Sequence, residues 1–279
     1  MAELTNDREY ITVGELSVGF SEHIIVPTYE FVGKNLTLNF DGPKSMVLSF
    51  LTNEALSCEI TEHGISEKYI SSYLAIEPRK NLYFIDFIVS FGNAKSVSVI
   101  LDKTKGFATV ITGLLPDEKA INIPIIKSAE AGEALTKVQV QFEHAAVNTP
   151  FTLDTGKHET TDELIGQRVQ FVYSSKDAYE HIYLNEKFYS WHCIAGKEKG
   201  LCDTDRCFYY KLDENLYCFV WLEKIIPTIG IVIEDFDVHR SYGKICGYED
   251  YLPGKINNFP VGSYATPLNN TSYDYSRLS

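Results

Sequence analysis

Three residues in the C-terminal half of the chain carry side chains suited to holding or moving a proton: His181, Arg206 and Glu223. Burial can bring the pKa of a histidine or a glutamate towards neutrality, where the group exchanges protons readily. A guanidinium pairs with a carboxylate, an enolate or another developing negative charge. These types predict acid–base catalysis in which His181 or Glu223 moves the proton and Arg206 holds the anion.

Aromatic residues accompany these groups at alternate positions of predicted strands. Successive side chains of a strand point to opposite faces, so residues 179–184 place Tyr, His and Tyr on one face and mainly aliphatic residues on the other. Residues 188–194 and 216–223 have similar patterns. An aromatic face with a few polar groups is typical of a ligand cavity, although ordinary core packing also produces it. The aromatic residues predicted to bind the ligand are Tyr179, Tyr183, Trp191, Tyr217 and Trp221.

The elements that must position these residues occur twice along the chain. Residues 81–87 (NLYFIDF) recur as residues 215–221 (NLYCFVW), and residues 33–40 align at nearly the same spacing with residues 166–173. The period is the length of a small domain and much longer than a solenoid unit. The sequence therefore predicts an internal duplication, with an N-terminal domain at residues 1–150 and a C-terminal domain at residues 151–279.

Each copy is predicted to form an all-β domain. About seven short apolar runs per copy, separated by turn residues, indicate an antiparallel meander closed into a barrel of the calycin or lipocalin type. One helix is expected near residues 128–135, and residues 144–160 are expected to link the copies. Most of the cysteines and both tryptophans lie in the second copy. We therefore expect the first barrel to be the more structural one and the second to carry the site.

Composition excludes several classes of function. The net charge of −13 offers no basic face for nucleic acid. The sequence has no C-x-x-C or H-E-x-x-H string, so no metal site is predicted, and it lacks the glycine-rich phosphate loops, so no cofactor is expected. Neither a secretion signal nor an apolar run of membrane-spanning length is seen. We expect a cytoplasmic protein without membrane contact, and a homo-oligomer is compatible with the sequence.

Several blocks resemble the MoaF family. The C-terminal blocks are residues 179–185, 203–211, 219–221, 223–230, 243–248 and 258–262, and residues 13–20 and 33–113 resemble the N-terminal domain of the family. The resemblance implies a pair of calycin-like barrels and a link to molybdenum cofactor biosynthesis. Tyr209 and Lys244, which lie within the similar region, are added to the expected ligand-binding residues.

Three hypotheses follow. The first is a cofactor-free lyase, isomerase or cyclase acting on a small, mostly apolar or aromatic molecule in the second barrel. The second is a binding protein without turnover, an accessory factor for a pterin-like or other aromatic molecule. The third is a protein that acts through its surface because side chains fill both barrels. A cavity larger than one water molecule would exclude the third.

Overall fold

The structure is a computed structural model that describes residues 10–89, 95–274 and 276. Its first half forms a closed antiparallel barrel of eight strands, in which β1 pairs with both β2 and β8. The strands are β1 Asn35–Phe40, β2 Ser45–Phe50, β3 Ala55–Glu62, β4 Ile65–Arg79, β5 Leu82–Val89, β6 Lys95–Asp102, β7 Phe107–Leu114 and β8 Gln139–Val147. Aliphatic and aromatic side chains such as Leu38, Leu48 and Phe87 fill the interior.

The second half forms a closed barrel with the same strand order. Strands β10 to β17 surround it, and pairing of β12 with β13 completes the ring. The strands are β10 Gln167–Val172, β11 Ala178–Tyr183, β12 Phe188–Ala195, β13 Cys202–Asp213, β14 Leu216–Glu223, β15 Thr228–Asp235, β16 Arg240–Tyr248 and β17 Ile256–Asn270. A two-residue strand, β9 Glu159–Thr160, pairs with β13 at Tyr210 and Lys211.

Helices are short and lie outside the barrel walls. They are α1 Val13–Leu16, α2 Glu118–Ile121 and α3 Ile125–Glu130. Helix α3 overlaps only the start of the helix predicted at residues 128–135. It ends there because Gly132 adopts a left-handed φ of 68° and the amide of Glu133 bonds the carbonyl of Ser128 at 2.9 Å.

The two barrels confirm the predicted all-β duplication, with eight strands in each copy where about seven were expected. The added strands are β8, whose end lies in the predicted linker, and β17, the last strand of the second barrel. Asn81 and Asn215 begin the most similar blocks of the two copies, residues 81–87 and 215–221, and their conformation explains part of that similarity. Each occupies the left-handed turn of an equivalent hairpin, with φ of 66° and 51°, a conformation that asparagine tolerates well.

The outer walls of the barrels pack against each other through a shared apolar cluster. It joins residues such as Ile100 and Ile111 of the first barrel to Val220 and Ile231 of the second. Strands at this contact are therefore apolar on both faces, unlike strands with one wet face. No helix of the described residues is long and apolar enough to cross a membrane.

Candidate functional site

A cavity of about 50 Å³ lies inside the second barrel, near one mouth. This is room for roughly three to five water molecules at 10–15 Å³ each. The volume excludes the hypothesis that side chains fill both barrels completely. The cavity is lined by Tyr10, Ile11, Val13, Leu16, Phe20, Tyr173, Tyr179, His181, Tyr189, Trp191, Glu198, Trp221, Glu223, Ile226, Thr228 and Ile245.

The N-terminal segment, residues 10–24, closes this mouth although it precedes the first barrel. A capping box between Thr12 and Glu15 starts helix α1. The amide of Gly14 donates to the carbonyl of Glu249 at 3.0 Å. The ring of Phe20 lies 4.3 Å from that of Tyr173, centroid to centroid. Residues 10–24 therefore form the lid of the second barrel.

Two tryptophans form much of the aromatic wall, and each binds a carboxyl group. The indole N–H of Trp191 donates to Oδ2 of Asp205 at 3.0 Å, and that of Trp221 donates to Oε1 of Glu223 at 2.9 Å. Both N–H groups are thus satisfied, as buried indoles require. Gly230 lies directly across the ladder from Trp221, and a Cβ at position 230 would overlap the indole. The glycine is what lets the ring lie flat on the barrel wall.

Burial raises the pKa of three carboxyl groups of the site, those of Glu223, Asp205 and Glu198. Loss of solvation on burial, reinforced by the neighbouring Asp205, raises the pKa of Glu223 to about 8. Burial also raises the pKa of Asp205 and that of Glu198. Glu198 accepts hydrogen bonds from the hydroxyl of Tyr179 at 2.9 Å and the amide of Ile11 at 3.2 Å, so it also ties the lid to the wall.

His181 is the histidine of this cavity, and it is neutral. Burial among aromatic rings lowers the pKa of His181 to about 3. Its Nδ1 and the hydroxyl of Thr228 are buried without a hydrogen-bond partner. Unpartnered polar atoms in a protein interior call for an explanation, because leaving one unsatisfied costs about 1–3 kcal/mol. Both residues line the cavity, and the two unpartnered atoms themselves are sealed from solvent.

The structure brings five of the predicted site residues together and separates the others. The residues at the cavity are Tyr179, His181, Trp191, Trp221 and Glu223. Three more point into the same barrel outside the lining: Tyr183 donates to Glu234 at 2.5 Å, Tyr217 donates to Glu163 at 2.7 Å, and Tyr209 accepts from the Cys207 thiol at 3.0 Å.

Arg206 and Lys244 lie on the outer wall of the second barrel, away from the cavity. The guanidinium of Arg206 is 5.7 Å from the ring centroids of both Phe188 and Phe208. Lys244 is buried at the contact between the barrels, with Nζ 3.6 Å from Oδ1 of Asp86. Neither side chain can hold an anion in the cavity, so the site differs in charge from the predicted one.

Four polar residues that the sequence reasoning left out belong to the interior of this barrel: Glu198, Asp205, Thr228 and Glu234. Asp205 could have been found by alternation, since it precedes Cys207 and Tyr209 on the inner face of β13. Glu198 lies in the connection before β13 and follows no strand period. Among the described residues, no group of three or more His, Cys, Asp or Glu side chains is arranged to hold a metal ion.

Fold and cavity define the class: a protein of two duplicated eight-stranded barrels, with an acidic and aromatic cavity in the second. Comparison with known proteins gives the family. The MoaF N-terminal domain matches residues 8–117, and the MoaF C-terminal domain matches residues 158–271. Protein MoaF from Klebsiella aerogenes is 37% identical over 272 residues, which cover 97% of this chain and 99% of that protein. The chain belongs to the MoaF family.

Solved structures add little. A crystal structure described provisionally as a beta-lactamase, from Burkholderia vietnamiensis, is 11% identical and covers 39% of this chain and 99% of its own, at a TM-score of 0.33. A DnaN sliding clamp from Pseudomonas aeruginosa is 8% identical, with 96% and 65% coverage and a TM-score of 0.12. Scores this low support no functional argument.

Proposed function

We propose that the second barrel binds a small, mostly apolar or aromatic molecule and catalyses cofactor-free proton transfer on it, as a lyase, isomerase or cyclase does. One observation carries the proposal. The side chains of Glu223, whose carboxyl is protonated at neutral pH, and of His181, whose buried Nδ1 has no hydrogen-bond partner, line the same cavity. Ionisable groups held this far from their usual pKa are most common where proteins do chemistry.

The roles follow from the protonation states at neutral pH. Glu223, with a pKa of about 8, carries a proton and acts as the general acid. His181, with a pKa of about 3, is neutral, and the unprotonated nitrogen of its ring accepts a proton from the substrate. The substrate gains a proton from Glu223 at one atom and loses one to His181 at another. Return of that proton from the imidazolium to the Glu223 carboxylate, directly or through water, restores the pair. The aromatic wall and the lid exclude water.

The alternative, an accessory protein for a pterin-like cofactor precursor, is less consistent with the charge of the site. Phosphorylated ligands are held in proteins by arginine, lysine or clustered backbone amides. Among the described residues no lysine or arginine lines the cavity, and Glu198 and Glu223 would face the phosphate. Binding without turnover of an unphosphorylated molecule remains the second candidate, and the same experiment separates the two.

The two tryptophans make the test direct, because the chain has no others and both line the cavity. A library of small apolar and aromatic compounds is screened by tryptophan fluorescence, and compounds that bind are incubated with the protein in D₂O and followed by NMR. We expect deuterium incorporation or conversion, reduced at least 100-fold in Glu223→Gln and His181→Ala. The control, Arg206→Ala, lies outside the cavity and should keep full activity.

Binding without any conversion by the wild-type protein would leave a carrier and exclude the enzyme. Failure of every compound to change the fluorescence would remove the proposed function altogether. Full activity in both Glu223→Gln and His181→Ala would remove the assigned roles.

A further inference from the structure

The cavity of the second barrel is acidic, and this determines which molecules it can hold. Glu198 and Glu223 line it, and Asp205 lies directly behind the indole of Trp191. Lys224 is the cation paired with this group: its Nζ lies 2.5 Å from Asp203 and 3.4 Å from Asp205. Four carboxyl groups thus share one ammonium, and none of the described lining residues is a lysine or an arginine.

The two indoles add negative potential to the same space. The face of an aromatic ring attracts a cation, and tryptophan does so most strongly. The N–H of Trp191 and that of Trp221 already donate to carboxyl groups. Neither indole therefore has a hydrogen-bond donor left for a ligand. What the rings offer the cavity is their electron-rich faces.

Hydrogen-bond acceptors in the cavity are also left without donors. Oε2 of Glu223 accepts no hydrogen bond from the described residues, while its Oε1 accepts from Trp221. The buried hydroxyl of Thr228 and Nδ1 of His181 are unpartnered. A protonated amine, whose N–H groups donate and which has no acceptor of its own, satisfies this set once Glu223 is ionised, whereas a quaternary amine supplies the positive charge alone.

We infer that the ligand of the second barrel is an organic cation, a protonated or quaternary amine, whose charged head lies between the indoles of Trp191 and Trp221 and beside the carboxyl of Glu223. The inference rests on the proposed function, since it names the class of molecule that the cavity binds. The volume of about 50 Å³ fits a head group the size of a few water molecules. The apolar part of the ligand then extends towards Leu16 and Phe20 of the lid.

Binding of a cation must release a proton. Glu223 is protonated in the empty cavity, and a neighbouring positive charge lowers its pKa. Among the titratable groups that face Glu223 from the surrounding elements, Lys224 is the cation, and its ammonium is paired with Asp203 and Asp205. The others are carboxyls, phenols and a neutral histidine: Asp203, Asp205, Glu198, Tyr173, Tyr189 and His181. Affinity for a cation therefore rises with pH until Glu223 is ionised in the free protein.

Two molecules of equal shape, one charged and one neutral, test whether the cavity requires a positive charge on its ligand. Choline and its uncharged carbon analogue 3,3-dimethyl-1-butanol differ by one positive charge, and tetramethylammonium and acetate complete the set. With the full-length protein at pH 8, tryptophan fluorescence should show binding of choline and tetramethylammonium at least tenfold tighter than that of the alcohol, and none of acetate. Titration calorimetry in phosphate and in Tris should show proton release. The apparent enthalpy of binding should differ between the two buffers, because each buffer takes up the released proton with its own enthalpy.

Two variants locate the effect. Glu223→Gln should weaken choline binding about tenfold and abolish its pH dependence between pH 6 and 9, whereas Glu130→Gln, an exposed carboxyl on α3, should change neither. If the alcohol binds as tightly as choline, the ligand is not a cation while the proposed binding function stands. If none of the four probes binds and the library of neutral compounds does, the inference fails alone. If nothing binds at all, both fail.

Discussion

The indole N–H of Trp221 donates to Oε1 of Glu223 at 2.9 Å, between two residues on the same face of one strand. The spacing of two places both side chains on the inner wall of the barrel. The bond orients the carboxyl, and the indole in turn reports the ionisation of that carboxyl. A buried acid and a spectroscopic probe therefore occupy the same site.

Ionisation of Glu223 should be visible in the intrinsic fluorescence. Because burial raises the pKa of Glu223 to about 8, a titration from pH 6 to 9.5 should change tryptophan emission with a midpoint near 8. Glu223→Gln should remove this transition. Glu234→Gln is the matched control: Glu234 has a pKa raised similarly, to about 8, but lies outside the cavity lining and bonds Tyr183. An unchanged transition in Glu223→Gln would show that another group titrates.

The shape of the aromatic wall depends on Gly230. An alanine there would overlap the ring of Trp221, so Gly230→Ala should displace the indole, destabilise the protein by about 1–3 kcal/mol through overpacking, and shift tryptophan emission to the red. Gly254→Ala is the control, because a Cβ there meets only the carbonyl of Leu252 at 3.9 Å. Equal urea midpoints and emission spectra for wild-type protein and Gly230→Ala would contradict this account of the wall.

Alternation of residue types predicted much of the site because a barrel wall keeps a strict period of two. Tyr179, His181 and Tyr183 were assigned to one face, and all three point inward. The repeated Asn-Leu-Tyr block also has a local cause, since Asn81 and Asn215 both form left-handed hairpin turns. These features depend on neighbouring residues and can be read from the sequence.

Other parts of the site depend on contacts between distant segments. Arg206 was selected by its charge, but it alternates with Asp205 and Cys207, whose side chains point inward, so its own side chain points outward. The lid could not be predicted from the sequence, because no periodic pattern in residues 10–24 indicates that this segment packs on the second barrel. The same holds for Lys244, whose partner Asp86 comes from the other barrel.

Glu234 should make the protein less stable as the pH rises. Its pKa in the folded protein, about 8, lies above the usual value of 4.5 because the carboxyl is buried. The stabilisation from its proton is full below pH 4.5 and is lost as the pH rises through 8, by up to about 5 kcal/mol at roughly 1.4 kcal/mol per unit. Glu234→Gln should remove this contribution in urea unfolding between pH 5 and 9 and leave that of Glu223, whose pKa is raised to the same value. Glu130→Gln, which is exposed, should retain the wild-type slope.

The buried pair between the barrels should act as a unit. Nζ of Lys244 lies 3.6 Å from Oδ1 of Asp86 and also bonds Ser96 and Asn258. Removing one partner leaves an uncompensated buried charge, so Lys244→Met or Asp86→Asn alone should cost about 3–5 kcal/mol, and the double variant should cost much less than their sum. Urea unfolding of the four proteins gives the coupling energy.

This double-mutant cycle tests whether the pair of Lys244 and Asp86 contributes to the contact between the barrels. A coupling of at least about 1.5 kcal/mol is expected, because the two charges are desolvated in the same contact. Lys127→Met with Glu130→Gln is the matched control pair, exposed on α3 with Nζ and Oε2 2.8 Å apart, and its coupling should stay below about 0.5 kcal/mol. Additive effects for Lys244 and Asp86 would mean that this pair adds nothing to the contact between the barrels, which the apolar cluster and the Arg79–Asp235 ion pair would then hold.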